Sequence, residues 1–168
     1  MKLLEYDKDL KRGQYGLEYV NEKVVVVGGF YRSNLFYGQQ KDAVVLFNPA
    51  TNELKKLTPL PYKVSGMATV PYKDNVIIIG GKDENNRALN NVLMYNITNQ
   101  ECRKLPSMLE GRHGCTAVIM GDVIVVMGGC NGKAYLNTVE YHVLGHDTWN
   151  KLPRMHCIRE GATACVKT

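Results

Sequence analysis

The sequence predicts an all-β fold of about three repeated units, each of four short antiparallel strands, followed by one strand of a fourth unit. Three series of landmarks predict it. Runs of Val and Ile end in double glycines at Gly28-Gly29, Gly80-Gly81 and Gly128-Gly129, whose first members stand 52 and 48 residues apart. Leu57, Leu105 and Leu152 keep step with them, each near a proline (Pro59, Pro106, Pro153). Gly66, Gly114 and Gly161 form the third series, each two residues past Val64, Arg112 and Arg159. Several residue types holding register over about fifty residues mark an internal repeat, which decides the fold before any single element does.

Within a repeat the elements follow in order. The first strand is small and apolar, as in Gly114 to Met120. The second is the β-branched run into the double glycine, such as Val76-Ile77-Ile78-Ile79. Such runs, short and bounded by turn residues, read as buried strands and not helices. The third strand carries an aromatic residue, at Phe47, Tyr95 and Tyr141. The fourth ends in the Leu-Pro element, as in Thr148 to Leu152. Turns fall at Tyr72 to Asn75, Gly121-Asp122 and Pro49 to Asn52. No helical periodicity of useful length is present.

A four-stranded unit near a 50-residue period fits one class of β-propeller. The double glycine, Tyr141 followed by Trp149, Pro153-Arg154-Met155 and Arg159-Glu160-Gly161 resemble the kelch motif. The likeness runs from about Arg12 to Val166 and is best in the last repeat. It implies a kelch-type β-propeller arc with repeats at about 12–61, 62–109 and 110–156, and the first strand of a fourth at 157–168. Residues 1–11 are expected to be the tail of a preceding blade or an N-terminal extension. The tryptophan position holds Leu54 and Cys102 in the first two repeats, and Val64 replaces an arginine. Packing between those blades is expected to be filled differently. Propellers close with four to eight blades, so three leave the ring open. Missing blades of a longer protein, or a second copy of the chain, would complete it.

Composition narrows the function. The chain has 168 residues, a net charge of +5 and 45% hydrophobic residues, which suffices for a core. Its basic residues are scattered, without the stripe that nucleic-acid binding requires. A mildly basic surface favours acidic partners instead. The five cysteines, at 102, 115, 130, 157 and 165, are odd in number and lack CxxC spacing, which reads as free thiols in a reducing compartment. Met1 to Leu10 carries five charges and no apolar stretch, so neither a signal peptide nor membrane association is expected. These readings together place the chain in the cytoplasm.

Chain direction puts the arginine position and the loop after each double glycine on one face. Arg12, Arg112 and Arg159 are expected there, with Tyr31, Arg32, Tyr37, Asn86, Arg87, Asn131, Lys133 and Tyr135 from the loops. Tyr and Arg are strong binding anchors and Asn adapts its hydrogen bonds. The expected ligand is a protein or peptide, with no cofactor and no metal. By resemblance to kelch adaptors of cullin-type ubiquitin ligases, Arg112 and Arg159 match pocket-lining arginines best. The bland alternative is that these arginines brace neighbouring blades through backbone carbonyls.

Enzyme signatures are weak. Gly128 to Ala134 has the wrong spacing for a phosphate loop. His142 and His146 flank a strand end without further ligands. Acids on the face number only Asp83, Glu84, Glu110 and Glu160. Carbohydrate or small-molecule chemistry in the channel, and binding to actin, stand as the other readings of a kelch resemblance.

Overall fold

The computed structural model describes residues 13–32 and 38–165. Among them are fourteen strands and no helix. β1 (Gly16–Val20), β2 (Lys23–Val27), β5 (Val44–Asn48) and β6 (Glu53–Leu57) form the first blade, in the order β1-β2-β5-β6. A small hairpin, β3 (Phe30–Arg32) with β4 (Gly38–Gln40), rises from the loop between β2 and β5. The second blade is β7 (Ala68–Tyr72), β8 (Asn75–Ile79), β9 (Val92–Asn96) and β10 (Cys102–Leu105). The third is β11 (Thr116–Met120), β12 (Val123–Met127), β13 (Val139–Val143) and β14 (Trp149–Leu152). Each blade is an antiparallel meander, and the first strands β1, β7 and β11 lie beside one another across blades. The chain is thus an arc of three propeller blades with the first strands innermost.

The double glycines exist because the next blade crosses over them. Gly28, Gly80 and Gly128 have φ of 58, 65 and 67°, a region that L-residues disfavour. A side chain at any of the three would strike the carbonyl oxygen of Val64, Arg112 or Arg159. The second glycine of each pair donates its N–H to that same carbonyl, at 2.8 Å for Gly29, 2.9 Å for Gly81 and 2.6 Å for Gly129. A second seam runs along the inner edge. Gly66 N–H donates to Gln14 O, Gly114 N–H to Gly66 O and Gly161 N–H to Gly114 O, at 2.8 to 2.9 Å. Both glycine series are therefore blade-to-blade backbone joints.

The apolar material between blades forms two clusters. One holds Val25, Val27, Val64, Val76, Ile78 and Tyr95 between blades one and two. The other holds Ile77, Ile79, Met108, Ile124, Val126 and Trp149 between blades two and three. Alternate residues of β8 thus serve opposite neighbours, as a strand buried on both faces must.

Two sequence expectations are corrected. The aromatics Phe47, Tyr95 and Tyr141 do not share one position. Val27, Ile79 and Met127 pair with Val44, Val92 and Val139. Three residues on from these stand Phe47, Tyr95 and His142. Tyr141 is one step out of register, so it faces the side away from blade two, because side-chain direction alternates along a strand. The fourth-repeat segment also differs. Gly161 takes the first-strand place along the seam, but residues 161–165 form no strand, and no second strand pairs with them among the described residues. Val166 and residues 1–11 lie outside the described residues.

The expectation of a different filling where tryptophan is missing has a concrete form. Trp149 is buried, stacks on His142 at 5.2 Å between ring centroids and donates Nε1–H to Pro106 O at 2.7 Å. In the second blade Cys102 occupies the matching place, exposed, opposite Tyr95. The Tyr95 hydroxyl donates to Thr58 O at 2.7 Å, and Thr58 precedes Pro106 by 48 residues. A tyrosine from the neighbouring strand has taken over the tryptophan's bond to the previous blade.

Candidate functional site

The loops that follow the double glycines, and those that lead into the first strands, share one face. Two of these loops are built alike. Asp83 and Asn131 each stand two residues after a double glycine. Asp83 Oδ1 accepts the N–H groups of Asn85 and Arg87 at 2.9 Å. Asn131 Oδ1 accepts those of Lys133 and Ala134 at 2.9 and 2.8 Å. Side-chain oxygens that bind the backbone two to four residues on fix a loop in one shape. Burial and hydrogen bonds to Arg87 and Asn85 act on Asp83 together, and the net result is a carboxyl below its ordinary pKa.

On these anchored loops the sequence-predicted residues separate by role. Asn86 sits exposed at a left-handed φ of 58°. Arg87 is exposed and paired with Asp83 at 2.7 Å. Lys133 and Tyr135 are exposed, and Tyr135 keeps 57% of its surface. Arg87 and Tyr135 each stand six residues after their double glycine, so successive blades present them alike. Asn131 is half-buried and forms the loop, its Nδ2 donating to Glu110 at 2.8 Å. Tyr31 is half-buried with the Lys41 ammonium 5.6 Å from its ring centre. Arg32 is exposed beside a cleft of about 420 Å³, whose wall also carries Gln14, Lys82, Glu84 and Asn86. Arg12 and Tyr37 lie outside the described residues.

The arginines part company. Arg112 is fully buried. Its guanidinium donates to Gly128 O at 2.8 Å, to Thr138 O at 3.2 Å and to Thr138 Oγ1 at 3.1 Å, and it pairs with Glu140 Oε1 at 2.5 Å. Its contacts are those of a brace within the third blade, and none of its surface reaches the loop face. Glu140, also buried, accepts the Leu109 N–H at 2.7 Å through its other oxygen. Arg159 holds the same backbone place at the end of the arc, with its side chain exposed. Sequence reasoning missed Glu140. A signal was present: where Val64 replaces the arginine, Leu93 stands opposite Ile78 as Glu140 stands opposite Val126.

The acids expected on the face are each tied to a local neighbour. Glu84 pairs with Lys63 at 2.8 Å, Glu110 lies 3.7 Å from Arg112, and Glu160 lies 3.6 Å from His113. Burial and the Lys82 charge push the His113 pKa below its usual 6.5 against the opposing pull of Glu160. Among the described residues no three His, Cys, Asp or Glu side chains converge to hold a metal ion. No helix among them is long and apolar enough to cross a membrane.

The cysteines carry no disulfide among the described residues. Cys115 is buried between blades two and three, and desolvation pushes its thiol up to about 11. The thiolate is the reactive form. Native protein at pH 8 treated with iodoacetamide is therefore expected to leave Cys115 unmodified while exposed Cys157 reacts. Peptide mass spectrometry reads this directly. Labelling of Cys115 as fast as Cys157 would show that the contact between blades two and three opens freely.

Residues 15–168 match the KLHDC2/KLHL20/DRC7 Kelch-repeats domain. The chain belongs to the kelch-repeat family. It is 30% identical over 130 residues to the Kelch repeat and BTB domain-containing protein 2 of cowpox virus, covering 77% of this chain and 23% of that protein. Human Kelch-like protein 23 is 26% identical over 152 residues, 88% of this chain and 25% of its own length. The chain thus spans about a quarter of the curated relatives it matches. The solved structure of YjhT superposes with a TM-score of 0.77 at 18% identity, over 86% of this chain and 53% of that one. That likeness bears on the fold alone.

Proposed function

We propose that the chain is a protein–protein interaction module whose loop face recognises a protein or peptide partner, as the substrate-recognition part of a cullin-type ubiquitin ligase adaptor. The observation that carries this reading is the matched pair of anchored loops. Asp83 and Asn131 fix their shape, and each presents exposed polar and aromatic tips on a rigid blade. Rigid scaffolds carrying exposed loops suit recognition, because little conformational freedom is lost on binding. The occurrence of BTB domains in the names of relatives supports the adaptor assignment. The local pairing of each acid on the face weighs against general acid–base work, which needs a free carboxyl near its substrate.

The test is affinity capture from cell extract with quantitative mass spectrometry. Wild type is compared with Arg87→Ala/Tyr135→Ala on the loop face and with Asn99→Ala on the opposite side. The expected result is a defined protein set retained by wild type and Asn99→Ala and reduced tenfold or more by the loop variant. Equal capture by all three would remove the loop face from the reading.

A further inference from the structure

The loop face holds a cavity of about 500 Å³ at the outer junction of blades two and three. Leu109, Tyr135 and Leu136 give it apolar walls, and Lys151 and Arg154 stand on its rim. Leu109 and Tyr135 keep 54% and 57% of their surfaces exposed, so apolar area stands open to solvent at the cavity. The charges around it are unbalanced. Two carboxylates line the cavity, but both are satisfied inward. Glu140 is bonded by Arg112 and the Leu109 N–H, and Glu110 by Asn131 and Thr138. Lys151 and Arg154 are exposed and have no ion pair among the described residues. The exposed apolar surfaces of Leu109 and Tyr135, beside the exposed ammonium of Lys151 and guanidinium of Arg154, are complementary to an apolar side chain that carries a carboxylate beside it.

We propose that this cavity is an anchor subsite for an acidic peptide segment of the partner. One aliphatic or aromatic side chain enters between Leu109 and Tyr135, and a neighbouring Asp or Glu meets Lys151 and Arg154. The inference rests on the loop-face reading above and names the partner's chemistry. The apolar insertion supplies the affinity, because burying such a side chain removes its surface from water. The charge contact on the exposed rim sets orientation and association rate, and salt screens it.

The experiment uses a phage-displayed library of random twelve-residue peptides, selected on the whole chain. Enriched peptides are synthesised and their affinities measured at 50 and 300 mM NaCl. Their positions are mapped by amide shift changes in 15N-labelled protein. The expected consensus places an aliphatic or aromatic residue within two positions of Asp or Glu. Shifts centre on Leu109, Tyr135 and Lys151, and affinity falls with salt. Lys151→Glu/Arg154→Glu weakens binding tenfold or more, as does Tyr135→Ala, while the amide spectrum stays that of the folded chain. Peptides lacking an acid, or indifferent to the charge reversal, overturn the subsite. Binding that maps to the cleft of Arg32, Lys82 and Glu84 overturns it but leaves the loop face standing. Binding that maps to the opposite face overturns both.

Discussion

Replacing Arg112 with valine is expected to destabilise the chain by about 3–5 kcal/mol, the range for removing one partner of a buried ion pair. The substitution leaves Glu140, only 3% exposed, facing an apolar side chain, and strips donors from the carbonyls of Gly128 and Thr138. Glu140→Leu alone leaves the guanidinium buried and removes the acceptor of the Leu109 N–H, with a loss of similar size. The double variant Arg112→Val/Glu140→Leu is the informative one. It rebuilds in blade three the pair already present in blade two, where Val64 and Leu93 are 0% and 1% exposed. Its stability is expected to lie about 2 kcal/mol or more above the sum of the single losses, within the range of coupling between contacting residues. Urea unfolding of the four proteins measures the cycle. Strictly additive losses would show that the two pairs are not interchangeable and that Arg112 acts through its backbone bonds alone.

This pair also marks where sequence reading reached its end. The repeat, the strand order within a blade and the double-glycine joints were legible, because each leaves a residue type at a fixed spacing. The glycines report backbone crossings that no other residue tolerates, so they stand out at Gly28, Gly80 and Gly128. The register of the third strand was not legible. Tyr141 and His142 are adjacent, and only the pairing of Met127 with Val139 decides which of them faces blade two. The choice between a partner-binding and a bracing Arg112 stayed open for a related reason. An arginine at a loop-to-strand junction can turn outward to a partner or inward to a carboxylate, and the deciding Glu140 lies 28 residues on, across the blade. The loop residues fared otherwise. Asn86, Arg87, Lys133 and Tyr135 are exposed at their tips as their loop positions implied, whereas Asn131 spends its side chain holding its own loop.

Trp149→Ala is expected to cost about 3–5 kcal/mol, as for other buried aromatic truncations. The ring is 4% exposed within the cluster of blades two and three, so its loss opens a cavity between blades and not inside one. Trp149→Phe separates the two contributions. Phenylalanine keeps much of the apolar contact but leaves Pro106 O without its donor and weakens the stack on His142, for a smaller loss of about 1–3 kcal/mol. Because each blade of a repeat array touches only its neighbours, the two substitutions have a spatial signature as well as a size. Hydrogen exchange is expected to quicken most in β13 and β14, and in β10 across the joint, while β1 and β2 keep their protection. The counterpart Tyr95→Phe removes the matching bond to Thr58 O and shifts the weakening to the joint of blades one and two. Uniform loss of protection over all three blades from either substitution would mean that the arc unfolds as one cooperative unit, and that the inter-blade joints do not set its local stabilities.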